Sequence, residues 1–221
     1  MSAAFDQSMY QVRFEWGSDG LGRLAPADIV VVVDVLRFSS TVADAVAAGR
    51  TIELDQARGW SPNGAAVAAH ASASGAALVL VGGLRNAGAA ARAVHAEQER
   101  RGARTSVAVI AAGERTPDGG WRVAVEDQLG AGAVIAALTD LGIDHTAPEA
   151  ALAAEGFRAL RGALRHLVSA SGSARELRDG VAADARMAAS GASPTSIDDA
   201  AILDAVDAVP VLREGRFVAF E

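Results

Sequence analysis

The chain predicts an α/β fold, three-layer α/β/α, with a mostly parallel central sheet and a helix-rich C-terminal part. Three observations carry that prediction. Candidate strands and helices alternate through the first half of the chain, the grammar of a parallel sheet covered on both faces. Ile29–Val35 is a nearly unbroken β-branched run, as expected of a central strand buried on both sides. From about residue 126 to 207 helical periodicity takes over with no strand to interrupt it. A length of 221 residues, 51% hydrophobic and 21% charged, suits a single α/β domain over 1–221, with the helix-rich segment packed on its sheet.

Taken in order, Met9–Phe14 alternates apolar and polar positions and reads as a strand with one exposed face, and Gly17–Pro26 as a turn-rich connection. After Ile29–Val35, the hydroxyls of Ser39, Ser40 and Thr41 offer N-cap chemistry for a helix through Ala48 that stops at Gly49. A strand at Thr51–Leu54 follows, and Ser61-Pro62-Asn63-Gly64 leads into an alanine-rich helix to about Ser74. The pattern repeats as the strand Ala77–Val81, the punctuation Gly82-Gly83 and a helix from about Asn86 to Arg101. Ser106–Ala112 is another apolar strand, closed by Gly113 and a hairpin-like turn at Thr116–Gly120. Helices are predicted over Glu126–Leu141, Pro148–Val168, Ser173–Val181 and Ala183–Ala189, with a loop at Ser190–Ser196. Val209–Leu212 and Arg216–Phe220, joined by Arg213-Glu214-Gly215, end the chain as a hairpin or edge strand.

Composition removes whole mechanisms. Without cysteine there is no disulfide, thiolate metal site, iron–sulfur cluster or cysteine nucleophile. All 20 basic residues are arginine, so P-loop lysines, Schiff bases and lysine general bases are excluded as well. A net charge of −7 and a pI near 5.1 argue against nucleic acid as a partner. The first residues lack a basic start and an apolar stretch, and no apolar run approaches the roughly 18 residues of a membrane span, so a cytoplasmic protein without a membrane partner is expected. Alanine, roughly a quarter of the chain, reflects biased coding composition more than function.

In a parallel sheet, ligands gather beyond the carboxyl ends of the strands, where helices begin. The segment Asp34-Val35-Leu36-Arg37-Phe38-Ser39-Ser40-Thr41 puts a carboxylate, a guanidinium and three hydroxyls at such an end. A carboxylate there can hold Mg²⁺ and an arginine can hold an oxyanion; alternatively Asp34 and Arg37 pair with each other and the hydroxyls only cap. A haloacid-dehalogenase-type phosphatase needs a second aspartate two residues after the first, and that position is Leu36. Asn63-Gly64, Gly82-Gly83 with Arg85-Asn86, and Gly113-Glu114-Arg115 are further strand-end candidates, each also readable as a plain turn. Glu126-Asp127 opens a helix before Gly130-Ala131-Gly132, where carboxylates serve the helix dipole or a metal. Gly20-Leu21-Gly22 mimics a dinucleotide fingerprint without the strand-turn-helix setting, and the four histidines show no ligand spacing.

Read together, Asp34–Thr41, Ser61–Gly64, Leu84–Ala87, Ala112–Arg115, Val125–Ala133 and the ending Ser171–Leu177 with Val209–Phe217 resemble the 2-phosphosulfolactate phosphatase family in order and spacing. The resemblance implies a three-layer α/β/α fold and Mg²⁺-dependent hydrolysis of a small sulfonated phosphate ester, 2-phosphosulfolactate, to sulfolactate and phosphate, a step of coenzyme M biosynthesis. It implies Asp34, Arg37, Glu126 and Asp127 as catalytic residues, with Asp34, Glu126 and Asp127 available to the metal. Ser39, Ser40, Thr41, Asn63, Gly64, Arg85, Asn86 and Glu114 are then expected to hold the substrate. Between Asp55 and Trp60 the chain is shorter than the family pattern by one segment, and Gly59-Trp60-Ser61-Pro62 replaces a threonine-rich approach to Asn63. The alternative is therefore an anion-binding relative without catalysis or with an altered substrate. The alanine-rich amphipathic helices leave room for a homodimer.

Overall fold

A computed structural model describes residues 3–116, 118, 120–179, 187 and 192–221. Its main sheet has seven strands: β1 (Val12–Trp16), β2 (Ile29–Val33), β3 (Ile52–Glu53), β4 (Leu78–Val81), β5 (Val107–Ala111), β8 (Pro210–Arg213) and β9 (Arg216–Ala219), in the order β1-β5-β2-β4-β8-β9-β3. β1, β5, β2 and β4 run parallel, and β8, β9 and β3 extend the sheet antiparallel. The small strands β6 (Glu114–Arg115) and β7 (Trp121–Arg122) form a separate hairpin.

Alternation along β2 explains why its run is apolar throughout. Ile29, Val31 and Val33 enter one core with the helices α5 (Ala87–Arg101), α6 (Val125–Asp140) and α7 (Pro148–Leu160), whereas Val30 and Val32 enter the other. That second core is built on α1 (Gly17–Arg23), α2 (Phe38–Ala47), α3 (Leu54–Arg58) and α4 (Pro62–Ala73). The predicted three-layer α/β/α arrangement is the observed one.

Several elements differ in detail. The turn-rich Gly17–Pro26 contains the helix α1, which its glycines concealed. Pro148–Val168 is interrupted by a 3₁₀ turn at Arg161–Ala163 before α8 (Leu164–Ala170), and α9 (Gly172–Arg178) follows. Ala183–Ala189 lies outside the described residues except for Met187, and Ser190–Ser196 is described only from Ala192. The terminal hairpin is not at the edge: β8 pairs with β4, and the two-residue β3 takes the rim on β9. Asn86 bolts it in place, its side-chain amide donating to the carbonyls of Val81 (3.2 Å) and Ala208 (3.0 Å).

Gly130-Ala131-Gly132 has a steric reason. A Cβ on Gly130 would sit 2.6 Å from Val35 Cγ2, and one on Gly132 would sit 2.2 Å from the Ala153 carbonyl oxygen, so both faces of α6 need glycine for close packing. Gly132→Ala is expected to lose about 2 kcal/mol or more of stability in urea unfolding. Gly156→Ala, in α7 with open space around it, is expected to gain up to about 1 kcal/mol.

Candidate active site

β2 ends at Val33, so Asp34 is the first residue past the sheet, yet it is only 5% exposed. Its Oδ2 accepts hydrogen bonds from Ser61 Oγ (2.9 Å) and the Gly64 backbone N–H (2.9 Å), and Oδ1 accepts from Phe38 N–H at 3.4 Å. Asp34 therefore occupies the anion position at the start of α4, where the first-turn N–H groups have no helical partners and Pro62 contributes none. Gly64 is needed for this approach, because a Cβ there would lie 2.6 Å from Asp34 Oδ2.

Asp127, in the first turn of α6, does the same for two loops. Its Oδ1 accepts from Val35 N–H (2.7 Å), just past β2, and its Oδ2 from Gly113 N–H (3.0 Å), just past β5. Glu126 beside it is 2% exposed, and its carboxyl oxygens are not among the buried, unsatisfied polar atoms of the described residues, so the cavity reaches them. These three carboxyl groups, Arg37 (7% exposed), Trp60, Ser61, Asn63 and Glu114 line one cavity of about 200 Å³. Asn63 Nδ2 donates to Glu114 Oε1 across it at 3.1 Å. Ser173, Glu176 and Leu177 of α9 also line it.

Charge dominates this cavity. Among the described lining residues there are five carboxyl groups, of Asp34, Glu114, Glu126, Asp127 and Glu176, and one guanidinium, Arg37. Burial pushes the Asp34 carboxyl up to about 6, with the Glu114 charge adding to the rise and its hydrogen bonds opposing it. Burial, then the charges of Asp34 and Glu126, hold the Asp127 carboxyl well above the ordinary range despite its two N–H donors. No ion pair joins Asp34 to Arg37 among the described residues, contrary to the simplest structural alternative.

The other residues singled out from sequence do not line the cavity and have partners of their own. Ser39 Oγ accepts from Asp34 N–H and donates to the Val32 carbonyl, Ser40 Oγ donates to the Val35 carbonyl, and Thr41 Oγ1 accepts from Thr195 N–H. The N-cap of α2 is Arg37, so the three hydroxyls lie inside the helix; those of Ser39 and Ser40 brace the strand-end loop, and that of Thr41 meets Thr195. Arg85 is bound to Asp44 at 2.7 Å and to the Asp199 carbonyl, and Asn86 to the two carbonyls of the hairpin bolt. Conversely, Trp60, Ser61, Ser173, Glu176 and Leu177 line the cavity and were not picked out as site residues; only their presence in the motif-bearing stretches hinted at them.

The model of one protein family, described as 2-phosphosulpholactate phosphatase, matches residues 60–215. The chain belongs to this family. No curated protein matches it. The match to the 2-phosphosulpholactate phosphatase family begins at Trp60, so Asp34 and Arg37 precede it; the cavity joins them to Asn63, Glu114, Glu126 and Asp127 within it. Family membership supports a phosphatase acting on a small phosphorylated molecule. Among the described residues no helix is long and apolar enough to cross a membrane.

The raised Asp34 carboxyl makes a stability prediction. Below about pH 4 it is protonated whether the chain is folded or not. Between pH 4 and 6 the unfolded chain releases its proton first, so folding stability falls as pH rises, and above 6 the loss is constant. The rise from 3.8 to about 6 corresponds to a loss on the order of 3 kcal/mol at neutral pH. In chelator-containing, phosphate-free buffer, the melting temperature of Asp34→Asn minus that of the wild type should widen by several degrees from pH 4 to 6.5 and then level. A gap that does not change with pH would contradict the buried, raised carboxyl.

Proposed function

We propose that the protein is a Mg²⁺-dependent phosphatase that hydrolyses 2-phosphosulfolactate to sulfolactate and phosphate, with a cytoplasmic location, a place in coenzyme M formation and a homodimeric state as parts of the same reading. The observation that carries it is the meeting, in one buried cavity at the carboxyl ends of the parallel strands, of three unlike groups. These are a carboxylate without a hydrogen bond (Glu126), a carboxyl poised near neutrality (Asp34) and a guanidinium (Arg37).

The charge balance supports a cation requirement. An ester carrying phosphate, sulfonate and carboxylate meets five carboxyl groups and one arginine, and like charges at such distances repel strongly where water is scarce. Among the described residues no three carboxylate or imidazole groups form a ready-made metal cage. That fits Mg²⁺, which binds through one or two carboxylates and completes its shell with water and substrate phosphate. Glu126 is the side chain that would hold it, with Asp127 alongside, which leaves Asp34 for the proton of the attacking water. When bound, the ion offsets the phosphoryl charge and lowers the pKa of a nearby water.

The chain's own groups then have separable tasks. Arg37 holds two phosphoryl oxygens in its planar fork. Asp34, with its carboxyl near 6, is charged at neutral pH yet basic enough to take a proton from the attacking water. Its hydrogen bonds to Ser61 and Gly64 fix where that oxygen sits. Asn63, held by Glu114, has a second amide hydrogen for the ester. Asp127 keeps the Val35 and Gly113 loops at a fixed spacing around the reacting group.

Release of inorganic phosphate from 2-phosphosulfolactate should require Mg²⁺ and stop with a chelator. Glu126→Gln, nearly isosteric, should lower kcat by at least about a hundredfold while leaving the fold intact by circular dichroism. No turnover across a panel of phosphorylated hydroxy acids, with phosphate binding retained, would favour the anion-binding relative instead.

A further inference from the structure

One hydroxyl of the cavity wall is uncommitted. Ser173, in the first turn of α9, lines the cavity and is 8% exposed. Among the described residues its Oγ makes no hydrogen bond, and it is not one of the polar atoms sealed inside the protein, so the cavity reaches it. Ser173, Glu176 and Leu177 fall at i, i+3 and i+4 on one face of α9, and all three line the cavity, so that face is turned to it. The helix is pinned at both ends. Ser171 Oγ accepts from Ala174 N–H at 3.1 Å, and Arg178 donates to the Ser169 carbonyl at 2.8 Å.

The other neutral donors of the wall are committed, wholly or in part. Ser61 gives its hydroxyl hydrogen to Asp34, Asn63 gives one amide hydrogen to Glu114, and the Trp60 indole N–H is sealed within the wall. The carboxyl groups of Asp34 and Asp127 take backbone donors and Ser61, and neither accepts from Ser173. The Ser173 hydrogen is therefore left for a group seated in the cavity. We propose that Ser173 is a substrate-binding residue whose hydroxyl donates to an oxyanion oxygen of the bound ester, on its phosphate or its acid group. This rests on the phosphatase reading above. A neutral donor suits an acid-lined cavity: it holds a negative oxygen without pairing with the carboxyl groups or competing with the cation for them, and hydrogen bonds to charged acceptors are the stronger ones. A contact from α9, added to those from Arg37 before α2 and Asn63 on α4, fixes the orientation of the ester as well as its affinity.

Two measurements test it. Isothermal titration compares Ser173→Ala with the wild type, both with Mg²⁺ saturating, as inorganic phosphate or, separately, methanesulfonate is added. The variant should bind at least one of the two anions about tenfold more weakly. A loss with phosphate places the contact at the phosphoryl end, and a loss with methanesulfonate places it at the acid end. Equal affinities of variant and wild type for both anions overturn the proposal. So does weaker Mg²⁺ binding by the variant with no anion present, which would make the hydroxyl a cation ligand. In steady-state hydrolysis, Ser173→Ala should raise KM about tenfold with kcat within about twofold. Without ligand its melting temperature should stay within about two degrees of the wild type, since the hydroxyl holds no other group of the fold. An unchanged KM, or a melting temperature lowered by several degrees, overturns the proposal. Wild-type turnover with an unaffected variant sinks the Ser173 contact alone, whereas an anion affinity that falls in Ser173→Ala without any wild-type turnover sinks the phosphatase reading and keeps the contact.

Discussion

Two buried carboxyl groups, Asp34 and Asp127, hold this structure's functional end together by accepting backbone N–H bonds across the sheet. Asp34 joins the end of β2 to the start of α4, and Asp127 joins the start of α6 to the loops after β2 and β5. The loops of two parallel strands and the first turns of two helices are thereby fixed to one another by side-chain oxygens. The arrangement works against ordinary solvation. Both groups are buried near other acids, and both have their protonation equilibria displaced upward as a result. Backbone donors offset part of that cost, and the remainder stays in the folded protein as a concentrated negative field.

The field gives the cavity its chemistry. On the proposed reading, a site rich in acid at the ends of parallel strands attracts a divalent cation, and the cation in turn makes the site habitable for an anionic ester. Scaffold and chemistry are not separate here: the carboxyls that close the loops are those that line the cavity. Glu126, largely buried but with carboxyl oxygens that stay accessible from the cavity, is the group the fold leaves for a ligand. The glycines of α6 belong to the same design, because only a helix packed tightly on β2 and α7 can carry Glu126 and Asp127 to the sheet end.

The architecture was legible because the β-branched run of β2 and the alternation of strands with helices are local patterns. Asp34, Glu126 and Asp127 were legible for a related reason: acids at the end of an apolar strand or the start of an apolar helix stand out against their neighbours. What those acids bind was not legible. The partners of Asp34 lie 27 and 30 residues along the chain and those of Asp127 up to 92, distances at which a linear reading has no signal. Ser39, Ser40 and Thr41 read as caps because they follow a strand, but the helix starts earlier, the Ser39 and Ser40 hydroxyls turn back to the loop and that of Thr41 meets Thr195. Arg85 and Asn86 followed Gly82-Gly83 and read as a ligand loop; their contacts instead reach Asp44, Asp199 and Ala208. Trp60 and α9 entered the cavity wall through tertiary packing alone.

The central claim is that the carboxyl-rich cavity accepts a phosphorylated anion only together with a divalent cation. Isothermal titration of inorganic phosphate into the protein, with Mg²⁺ saturating and then with chelator, tests it most directly. The account predicts that Mg²⁺ tightens phosphate binding at least about tenfold and that phosphate tightens Mg²⁺ binding by the same factor. Equal phosphate affinity with and without Mg²⁺ would contradict it.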